Sequence, residues 1–327
     1  MKLVSFIKEG EVRAGIVQDD LVVDIHAVSG GSLPEDMVSI IDLGDEGLKR
    51  MKELGAFSEG DEGVYPLRDV TLKAPIPRPV SIRDFYAFEE HVKTARKRRG
   101  LDVVPEWYDF PVFYFTNHLA VKGPLDHIER PAGCEWLDYE LEIACVIGKE
   151  GRNISSDHAE DFIYGYMIMN DWSARDIQKH EMKVGLGPAK GKDFATSFGP
   201  CLVTKDEMDT YRSGDRLDLP MTAKVNGKLL SQGNYQDIHY TFGDMIERAS
   251  KDVTLYPGEV IGSGTVGTGC ILELGPEKHP WLKPGDVVEL EIKGLGVLKN
   301  TIAERREEED HVLSTNGEHT SQTSHHV

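Results

Sequence analysis

Apolar and polar residues alternate with a period of two in three short runs near the start of the chain. The runs are residues 4–7, 12–17 and 21–25. This period places apolar side chains on one face of an extended segment, so each run predicts a β-strand. Glu9-Gly10 and Asp19-Asp20 separate the runs and predict the turns of a small β meander. In residues 35–54 the apolar positions recur at helical spacing instead and predict a helix.

Glycine and proline divide the rest of the chain into further short segments. Asn226-Gly227 lies between the apolar runs 221–225 and 228–230 and predicts a β-hairpin with a two-residue turn. The remaining predicted elements are a helix at 242–248 and strands at 271–274 and 286–292. Residues 306–327 are polar with almost no apolar side chains, so they predict a disordered tail, because such a composition buries too little surface to offset chain entropy.

Apolar and acidic residues alternate in the segment 137–144. As a strand, this segment would turn its apolar side chains to one face and Glu140 and Glu142 to the other, with the two carboxylates roughly 6–7 Å apart. The alternation alone also fits a strand with a solvated acidic face. Residues 145–148 continue as an apolar run, however, which favours burial on both faces. Buried carboxylates need a positive partner, so a metal ion or a cationic side chain is expected there.

Two aspartates in other segments extend this acidic set. Asp171 ends an apolar run that predicts a strand, and residues 172–179 after it have the pattern of a helix. Arg175 and Gln178 are three positions apart in that helix, so they share a face beside Asp171. Asp84 follows a proline-rich stretch upstream. Carboxylate oxygens are the ligands that hard divalent cations prefer, so the acids together indicate a shared cation.

Composition narrows the possible partners and location. The chain has 327 residues and a formal net charge of −19, which argues against binding nucleic acid or anionic membranes through charge. No apolar run approaches the roughly 20 residues that span a bilayer, and the first residues lack the apolar core of a signal peptide. The four cysteines are widely spaced, without a metal-binding or disulfide pattern, so a reduced, cytoplasmic protein is expected.

Five segments carry motifs in a fixed order. They are Arg83-Asp84-Phe85-Tyr86 with Glu90-His91, residues 137–142, residues 169–179, Gly191-Lys192-Asp193-Phe194 and Gly262-Ser263-Gly264-Thr265. This set resembles the fumarylacetoacetate hydrolase family. The resemblance implies an α+β fold, mainly β, with a mixed β-roll catalytic domain at 77–305 and a small N-terminal domain at 1–76. It also implies a homodimer.

The resemblance further implies a metal centre. Family members use an aspartate, a Glu-x-Glu pair and a second aspartate to hold the ion. By resemblance these ligands are Asp84, Glu140, Glu142 and Asp171. Mg²⁺ is the expected ion, with Ca²⁺ or Mn²⁺ as alternatives, because all four ligands offer oxygen.

The family's catalytic histidine and its carboxylate partner correspond by resemblance to His91 and Glu273. A histidine near neutral pH is a suitable general base for activating water, and a carboxylate fixes its tautomer. A lone histidine is more often structural, and Glu89 and Glu90 are alternative partners near it in sequence. Decarboxylase relatives place a glutamate three residues after the histidine, whereas this chain has Thr94, which favours hydrolysis.

The remaining site residues implied by the resemblance stabilise negative charge or contact the substrate. They are Arg175, Gln178 and Lys192 for the charge, and Tyr86, Arg175, Gln178 and Thr265 for the substrate. Arg175 could instead form a salt bridge with Asp176 or with an acid of the metal centre. Thr265 could lie in an ordinary tight turn. Lys192 ends a glycine-rich loop, but Asp193 follows it, so the loop lacks the GxxxxGK[ST] pattern of a phosphate-binding loop.

These observations predict a fumarylacetoacetase-like, metal-dependent hydrolase that cleaves a carbon–carbon bond in a small β-diketo acid. Fumarylacetoacetate or an acylpyruvate would be the substrate, and the pathway would be the degradation of aromatic compounds. An isomerase or an oxaloacetate-type decarboxylase is the nearest alternative, because each needs a stabilised enolate. A non-catalytic metal-stabilised protein is the remaining alternative, and the presence of His91, Glu273 and Lys192 argues against it.

Overall fold

The computed structural model describes residues 1–214 and 216–305, so the tail predicted at 306–327 lies outside the described residues. The strands are β1 (Lys2–Lys8), β2 (Glu11–Gln18), β3 (Leu21–Asp24), β4 (Val64–Pro66), β5 (Thr71–Lys73), β6 (Ile82–Phe85), β7 (Phe113–Phe115), β8 (Val121–Lys122), β9 (His127–Glu129), β10 (Leu137–Asp138), β11 (Leu141–Ile147), β12 (Gly151–Arg152), β13 (Ile163–Asp171), β14 (Ser173–Ala174), β15 (Thr196–Thr204), β16 (Arg212–Ser213), β17 (Arg216–Leu217), β18 (Pro220–Val225), β19 (Lys228–Asn234), β20 (Thr254–Leu255), β21 (Val260–Gly262), β22 (Val287–Ile292) and β23 (Gly296–Ala303). The α-helices are α1 (Ile25–Val28), α2 (Met37–Asp42), α3 (Gly44–Glu53), α4 (Glu89–Arg98), α5 (Arg175–Glu181), α6 (Lys205–Met208), α7 (Phe242–Ser250) and α8 (Ile271–Leu274). Short 3₁₀-helices span Leu67–Asp69, Pro105–Tyr108, Ser156–Phe162, Met182–Val184, Asp209–Tyr211 and Tyr235–Asp237.

Twelve strands of the described residues form one mixed sheet. Their order is β4, β3, β2, β1, β15, β13, β11, β21, β6, β7, with β5 on β1 and β8 on β15. Strand β1 joins the N-terminal strands to β15, with Leu3 opposite Leu202. The N-terminal part of the chain therefore shares its main sheet with the rest, and the division at residues 76 and 77 stays a prediction.

The central strands of the main sheet are buried on both faces. In β11, Ile143 and Cys145 belong to one apolar core, whereas Ala144 and Val146 belong to the other. The first core also contains residues of a five-stranded sheet (β19-β18-β22-β23-β9), and the second contains residues of α2 and α3. Side chains alternate between the two faces of a strand, so this arrangement confirms the predicted burial of β11 on both faces. The predicted α+β, mainly β fold is confirmed as well.

Several local predictions are confirmed. Strands β1, β2 and β3 form the N-terminal meander, and Asn226-Gly227 is the turn between β18 and β19. Helix α7 covers the predicted helix at 242–248. Residues 35–54 form two helices rather than one, because the backbone of Gly44 has a φ of +53°, which interrupts the helix. None of the helices in the described part of the chain is both long and apolar enough to cross a membrane.

The strand predicted at 271–274 is wrong, since these residues form helix α8. A run of four residues is too short for periodicity to distinguish a strand from a helical turn. The backbone N–H groups of Ile271 and Leu272 bond to the carboxylate of Asp138 and not to a neighbouring strand. That contact comes from a distant segment, so the local pattern does not reveal it.

The acidic segments meet where four neighbouring strands of the main sheet begin or end. Strand β11 runs antiparallel to β13, with Leu141 opposite Asn170. Strand β21 lies between β11 and β6, so that Gly262 is opposite both Ala144 and Asp84. The start of β11 therefore lies beside the ends of β13, β21 and β6, and the side chains there share one site.

Candidate active site

Four carboxylates form one buried cluster at these strand ends. Asp84 lies on β6, Glu142 on β11 and Asp171 at the end of β13, while Glu140 directly precedes β11. A ligand oxygen of each lies within 4.8 Å of those of the other three. Each of the four residues is at most 5% exposed. The structure thus brings together the residues that the sequence predicted as metal ligands.

Two cationic side chains hold Glu140. Arg175 Nη2 donates to Glu140 Oε1 at 2.8 Å, and Lys192 Nζ donates to Glu140 Oε2. Lys192 also donates to Asp171 Oδ2 at 2.7 Å. Of the alternatives for Arg175, the ion pair with an acid of the cluster is the one observed.

Because of these contacts, the pKa of Glu140 shifts in the opposite direction to the pKa values of the other three acids. Burial by itself raises the pKa of Glu140, but Lys192 and Arg175 outweigh it, so the net pKa lies well below the ordinary value. A positive charge on His91 would lower the pKa of Glu140 further. Glu140 is therefore ionised and balanced by cations of the protein itself.

The other three carboxylates have raised pKa values. Burial raises the pKa of Asp84 well above its ordinary value, and the charge of Asp171 raises it further. Burial followed by the charge of Asp84 does the same to Glu142. The pKa of Asp171 is raised by burial, although Lys192 opposes the rise. Three acids that repel one another in a buried site indicate a place where additional positive charge is stabilising.

Three carboxylate oxygens of the cluster lack partners among the residues that the structure describes, and this bears on whether the cluster fits a metal ion. Asp84 Oδ1, Glu142 Oε2 and Asp171 Oδ1 are buried and have no hydrogen-bond partner within the described residues. Buried polar atoms without partners are rare and costly, so these oxygens are suited to bind a ligand. A hard divalent cation would bond to them and relieve the repulsion. The donor set therefore fits Mg²⁺, Mn²⁺ or Ca²⁺.

His91 and Glu273 form a buried pair next to the cluster. His91 Nδ1 lies 2.5 Å from Glu273 Oε1, and both residues are at most 5% exposed. Toward an ionised carboxylate Nδ1 would donate the hydrogen bond, which would leave Nε2 as the basic nitrogen. The contact identifies Glu273, rather than Glu89 or Glu90, as the carboxylate bound to His91.

Glu273 accepts a hydrogen bond from a loop whose backbone is strained. The N–H of Thr268 donates to Glu273 Oε2 at 3.0 Å, and Cys270 Sγ lies 3.6 Å from Glu273 Oε1. Thr268 has a φ of +67°, a conformation that β-branched residues rarely adopt. Its hydroxyl donates to the carbonyl of Gln232 at 3.1 Å, which helps to hold the loop. Backbone strain of this kind is concentrated at functional sites.

Besides Arg175, the other three predicted substrate contacts lie around this site. The ring of Tyr86 meets the ring of His91 edge-on, with 5.3 Å between their centroids. Gln178 Oε1 accepts a hydrogen bond from Arg175 at 3.1 Å, and the hydroxyl of Thr265 donates to Glu142 Oε1 at 3.3 Å. All three are therefore beside the proposed machinery, and their roles toward a substrate stay predictions.

Sequence reasoning missed two residues of the site. The hydroxyl of Tyr114 donates to Asp171 Oδ2 at 2.5 Å, and none of the five motifs contains this residue. Asp138 accepts a hydrogen bond from Arg175 Nε at 2.9 Å. Tyr114 lies between two phenylalanines in β7, and this single polar position was the available signal.

The family profile described as "Fumarylacetoacetate (FAA) hydrolase C-terminal" matches residues 81–303. The chain belongs to the fumarylacetoacetate hydrolase family. Among its relatives, the mitochondrial oxaloacetate tautomerase FAHD2B of Bos taurus is 33% identical over 288 residues, which are 86% of this chain and 83% of the relative. The oxaloacetate tautomerase YisK of Bacillus subtilis is 30% identical over 302 residues, covering 88% and 94% of the two chains.

Solved structures of the family share the fold. The fumarylacetoacetate hydrolase of Exiguobacterium antarcticum has a TM-score of 0.72 at 27% identity and covers 93% of this chain and 100% of its own. Maleylpyruvate hydrolase from Sphingobium sp. SYK-6, solved with manganese(II) and pyruvate, has a TM-score of 0.69 at 25% identity, with coverage of 93% and 99%. This chain is therefore similar both to hydrolases and to tautomerases.

Proposed function

We propose that the protein is a metal-dependent enzyme that interconverts the keto and enol forms of oxaloacetate or of a closely related 2-oxo dicarboxylic acid. The observation that carries this proposal is the buried pair of His91 and Glu273 beside an acidic cluster that fits a divalent cation. Relatives named as oxaloacetate tautomerases, at 30% and 33% identity over most of both chains, support this choice of substrate.

Tautomerisation moves a proton between carbon 3 and the oxygen on carbon 2 of the substrate through an enolate. His91 Nε2 would take the proton from carbon 3, and Glu273 would hold the resulting imidazolium in place. Lys192 and Arg175 would provide fixed positive charge for the enolate, which costs no reorganisation during the reaction. When bound, a divalent metal ion supplies Lewis-acid stabilisation of the enolate oxygen, and its ligands would be Asp84, Glu140, Glu142 and Asp171.

Hydrolysis of a β-diketo acid is the second candidate. The same pair of His91 and Glu273 could activate water, and similarity to maleylpyruvate hydrolase favours this reaction. Water would add to the acyl carbonyl, and the carbon–carbon bond would break with its electrons left on the enolate of the product. His91 would then return the proton to the enolate carbon. Fumarylacetoacetate, maleylpyruvate and other acylpyruvates are the substrates to test.

One experiment separates the candidates. The purified protein is assayed in Mg²⁺, in Mn²⁺ and in EDTA for three reactions. These are ketonisation of enol-oxaloacetate, loss of the chromophore of diketo acids, and release of CO₂ from oxaloacetate. Metal-dependent ketonisation above the buffer rate, lost in H91N, supports the tautomerase. Ketonisation at the buffer rate, while diketo acids are cleaved or CO₂ is released, overturns it in favour of a hydrolase or a decarboxylase.

Location and assembly remain proposals as well. A cytoplasmic homodimer is the arrangement that the sequence predicts, but the bovine relative is named as a mitochondrial protein. Fractionation of cells and light scattering of the purified protein test the two statements separately.

A further inference from the structure

Helix α8, which carries Glu273, is held in place by contacts from outside the helix. It spans only Ile271–Leu274, and its N-cap residue Cys270 makes no side-chain capping bond. Isolated helices of this length are unstable in water, and the first N–H groups of any helix lack partners within it. The position of the Glu273 carboxylate therefore depends on the group that caps this helix.

Asp138, in β10, supplies that cap. Its Oδ1 accepts the N–H of Ile271 at 2.7 Å, and its Oδ2 accepts the N–H of Leu272 at 3.0 Å. The residue is fully buried, at 0% exposure. A negative charge at the N-terminal end of a helix is favourable because the helix dipole is positive there. Asp138 thus orients the short helix that presents Glu273 to His91.

The same carboxylate also orients Arg175. Asp138 Oδ2 accepts a hydrogen bond from Arg175 Nε at 2.9 Å. The other guanidinium nitrogens of Arg175 then reach Glu140 at 2.8 Å and Gln178 at 3.1 Å. The carboxylate of Asp138 is therefore bonded to two parts of the site. One is helix α8, which carries Glu273, and the other is Arg175, which contacts the acidic cluster.

We propose that Asp138 is a positioning residue that sets Glu273 and Arg175 in one shared geometry. The proposal rests on the proposed function only for the catalytic roles of these two partners. Three N–H donors converge on Asp138, so only an acceptor with two oxygens satisfies them all. In D138N the amide group would present its own N–H to at least one of those donors, and the donor would be left buried without a partner.

The first test uses the wild-type protein and does not involve turnover. Hydrogen exchange is measured at the backbone amides of Ile271 and Leu272. Both amides lie in the first turn of a helix, where groups normally exchange rapidly for lack of an acceptor. Strong protection, comparable to that of the amides in β11, is expected from the cap. Rapid exchange at both amides would overturn the proposal, whatever reaction the enzyme catalyses.

The second test compares D138N with a matched control, D24N. Asp24 is also buried, at 2% exposure, and it caps the four-residue helix α1 through the N–H of Ala27 at 3.0 Å. It also lies 3.3 Å from Arg13 Nε, as Asp138 lies beside an arginine. Asp24 belongs to β3, which is separated from β11 in the main sheet by β2, β1, β15 and β13.

The proton between His91 Nδ1 and Glu273 should give a far-downfield NMR resonance, because the hydrogen bond is short and charge-assisted. D138N should shift or lose this resonance and lower kcat by about 10–100-fold, the usual effect of removing a group that orients a reactive one. D24N should lower the melting temperature alone. An unchanged resonance in folded D138N would overturn the proposal. If the wild-type protein shows the resonance but catalyses neither proposed reaction, the proposed function fails and Asp138 keeps its positioning role.

Discussion

Gly262 lies opposite Asp84 across the parallel strands β21 and β6, and a Cβ atom at position 262 would lie 2.7 Å from Asp84 Oδ1. The same Cβ would lie 2.7 Å from Met169 Sδ. No real Cβ approaches other atoms this closely without a shift, and the sulfur on the other side leaves little room for one. Glycine at this position therefore leaves the space in which the Asp84 carboxylate faces the acidic cluster.

The substitution G262A should weaken metal binding. The added methyl group would push Asp84 away from its place in the cluster, so we expect affinity for Mn²⁺ to fall by about 10–100-fold. Titration calorimetry measures this directly. The matched control is G148A, where the added Cβ would lie 2.7 Å from Tyr164 Cβ at the other end of β11. G148A should lose stability but keep the affinity, and equal losses in both variants would contradict the argument.

The substitution E142Q should abolish stabilisation by metal ions. Ligand binding to the folded state raises the melting temperature, so Mg²⁺ or Mn²⁺ should stabilise the wild-type protein against thermal unfolding. Glu142 contributes an unpartnered buried oxygen to the cluster, and its raised pKa reflects burial and the nearby charge of Asp84. E142Q without metal should be at least as stable as the wild type, because one repelling charge is removed.

The control for E142Q is D286N. Asp286 is buried, at 5% exposure, and accepts hydrogen bonds from Asn226 and from the N–H of Lys283, outside the cluster. This variant should lose stability yet keep the full increase in melting temperature on addition of metal. A metal-induced shift that persists in E142Q would remove Glu142 from the proposed ligands.

Local patterns predicted the strand only in part, since β11 begins at Leu141 and carries Glu142, whereas Glu140 precedes it. The alternation in residues 137–144 assigns Glu142 and Ile143 to opposite faces, because side-chain direction along a strand follows from the period alone. Tyr114 could not be assigned in the same way. Its contact with Asp171 depends on the pairing of β7 with β6, where Tyr114 lies opposite Asp84. Pairing between segments that are distant in sequence is not encoded in the pattern of either one.

Helix α8 illustrates the same limit for secondary structure. The resemblance to the family pointed to Glu273 as the partner of His91, while the periodicity of residues 271–274 predicted a strand. The structure does place Glu273 against His91, although the element predicted for it is wrong. Asp138, more than a hundred residues earlier, accepts the first N–H groups of this helix, a contact that the local pattern does not contain.

Asp206 should contribute stability that depends on pH. It accepts hydrogen bonds from Lys52 at 2.7 Å and Thr204 at 2.5 Å, which joins α3 to the start of α6. Burial raises the pKa of Asp206, but the bonds with Lys52 and Thr204 outweigh it and lower the pKa to about 2. A depressed pKa stabilises the fold above the unfolded-state pKa of about 3.9, and this contribution is lost as the pH falls toward 2.

The side chain of Asp206 is half exposed, so D206N should cost less than about 1 kcal/mol in the free energy of unfolding at pH 7. Urea unfolding at a series of pH values tests this. The difference between D206N and the wild type should narrow below about pH 4. In a double-mutant cycle, K52Q and D206N should be non-additive. A difference that grows on acidification would show that the sign of the assigned pKa shift is wrong.

Loss of the basic histidine should lower turnover with little effect on metal binding. In H91N the group that transfers the proton is absent, so we expect kcat to fall by about 10²–10⁴, the usual share of general acid–base catalysis. E273Q should lower kcat as well, because glutamine no longer stabilises the imidazolium. The double variant should be little slower than H91N, since the two residues act as one unit. Affinity for Mn²⁺ should remain near that of the wild type in all three variants.

A second histidine that contacts a carboxylate provides the matched control. His26 Nδ1 lies 2.7 Å from the carbonyl oxygen of Leu33, and its Nε2 lies 3.3 Å from Glu35 in the N-terminal part of the chain. H26N removes a histidine ring that contacts a carboxylate outside the site, so it should change stability and leave kcat intact. If H91N and H26N turn over substrate equally well, His91 is not the base. The nearest groups by sequence would then be the carboxylates of Glu89 and Glu90, and the variants E89Q and E90Q would identify which one transfers the proton.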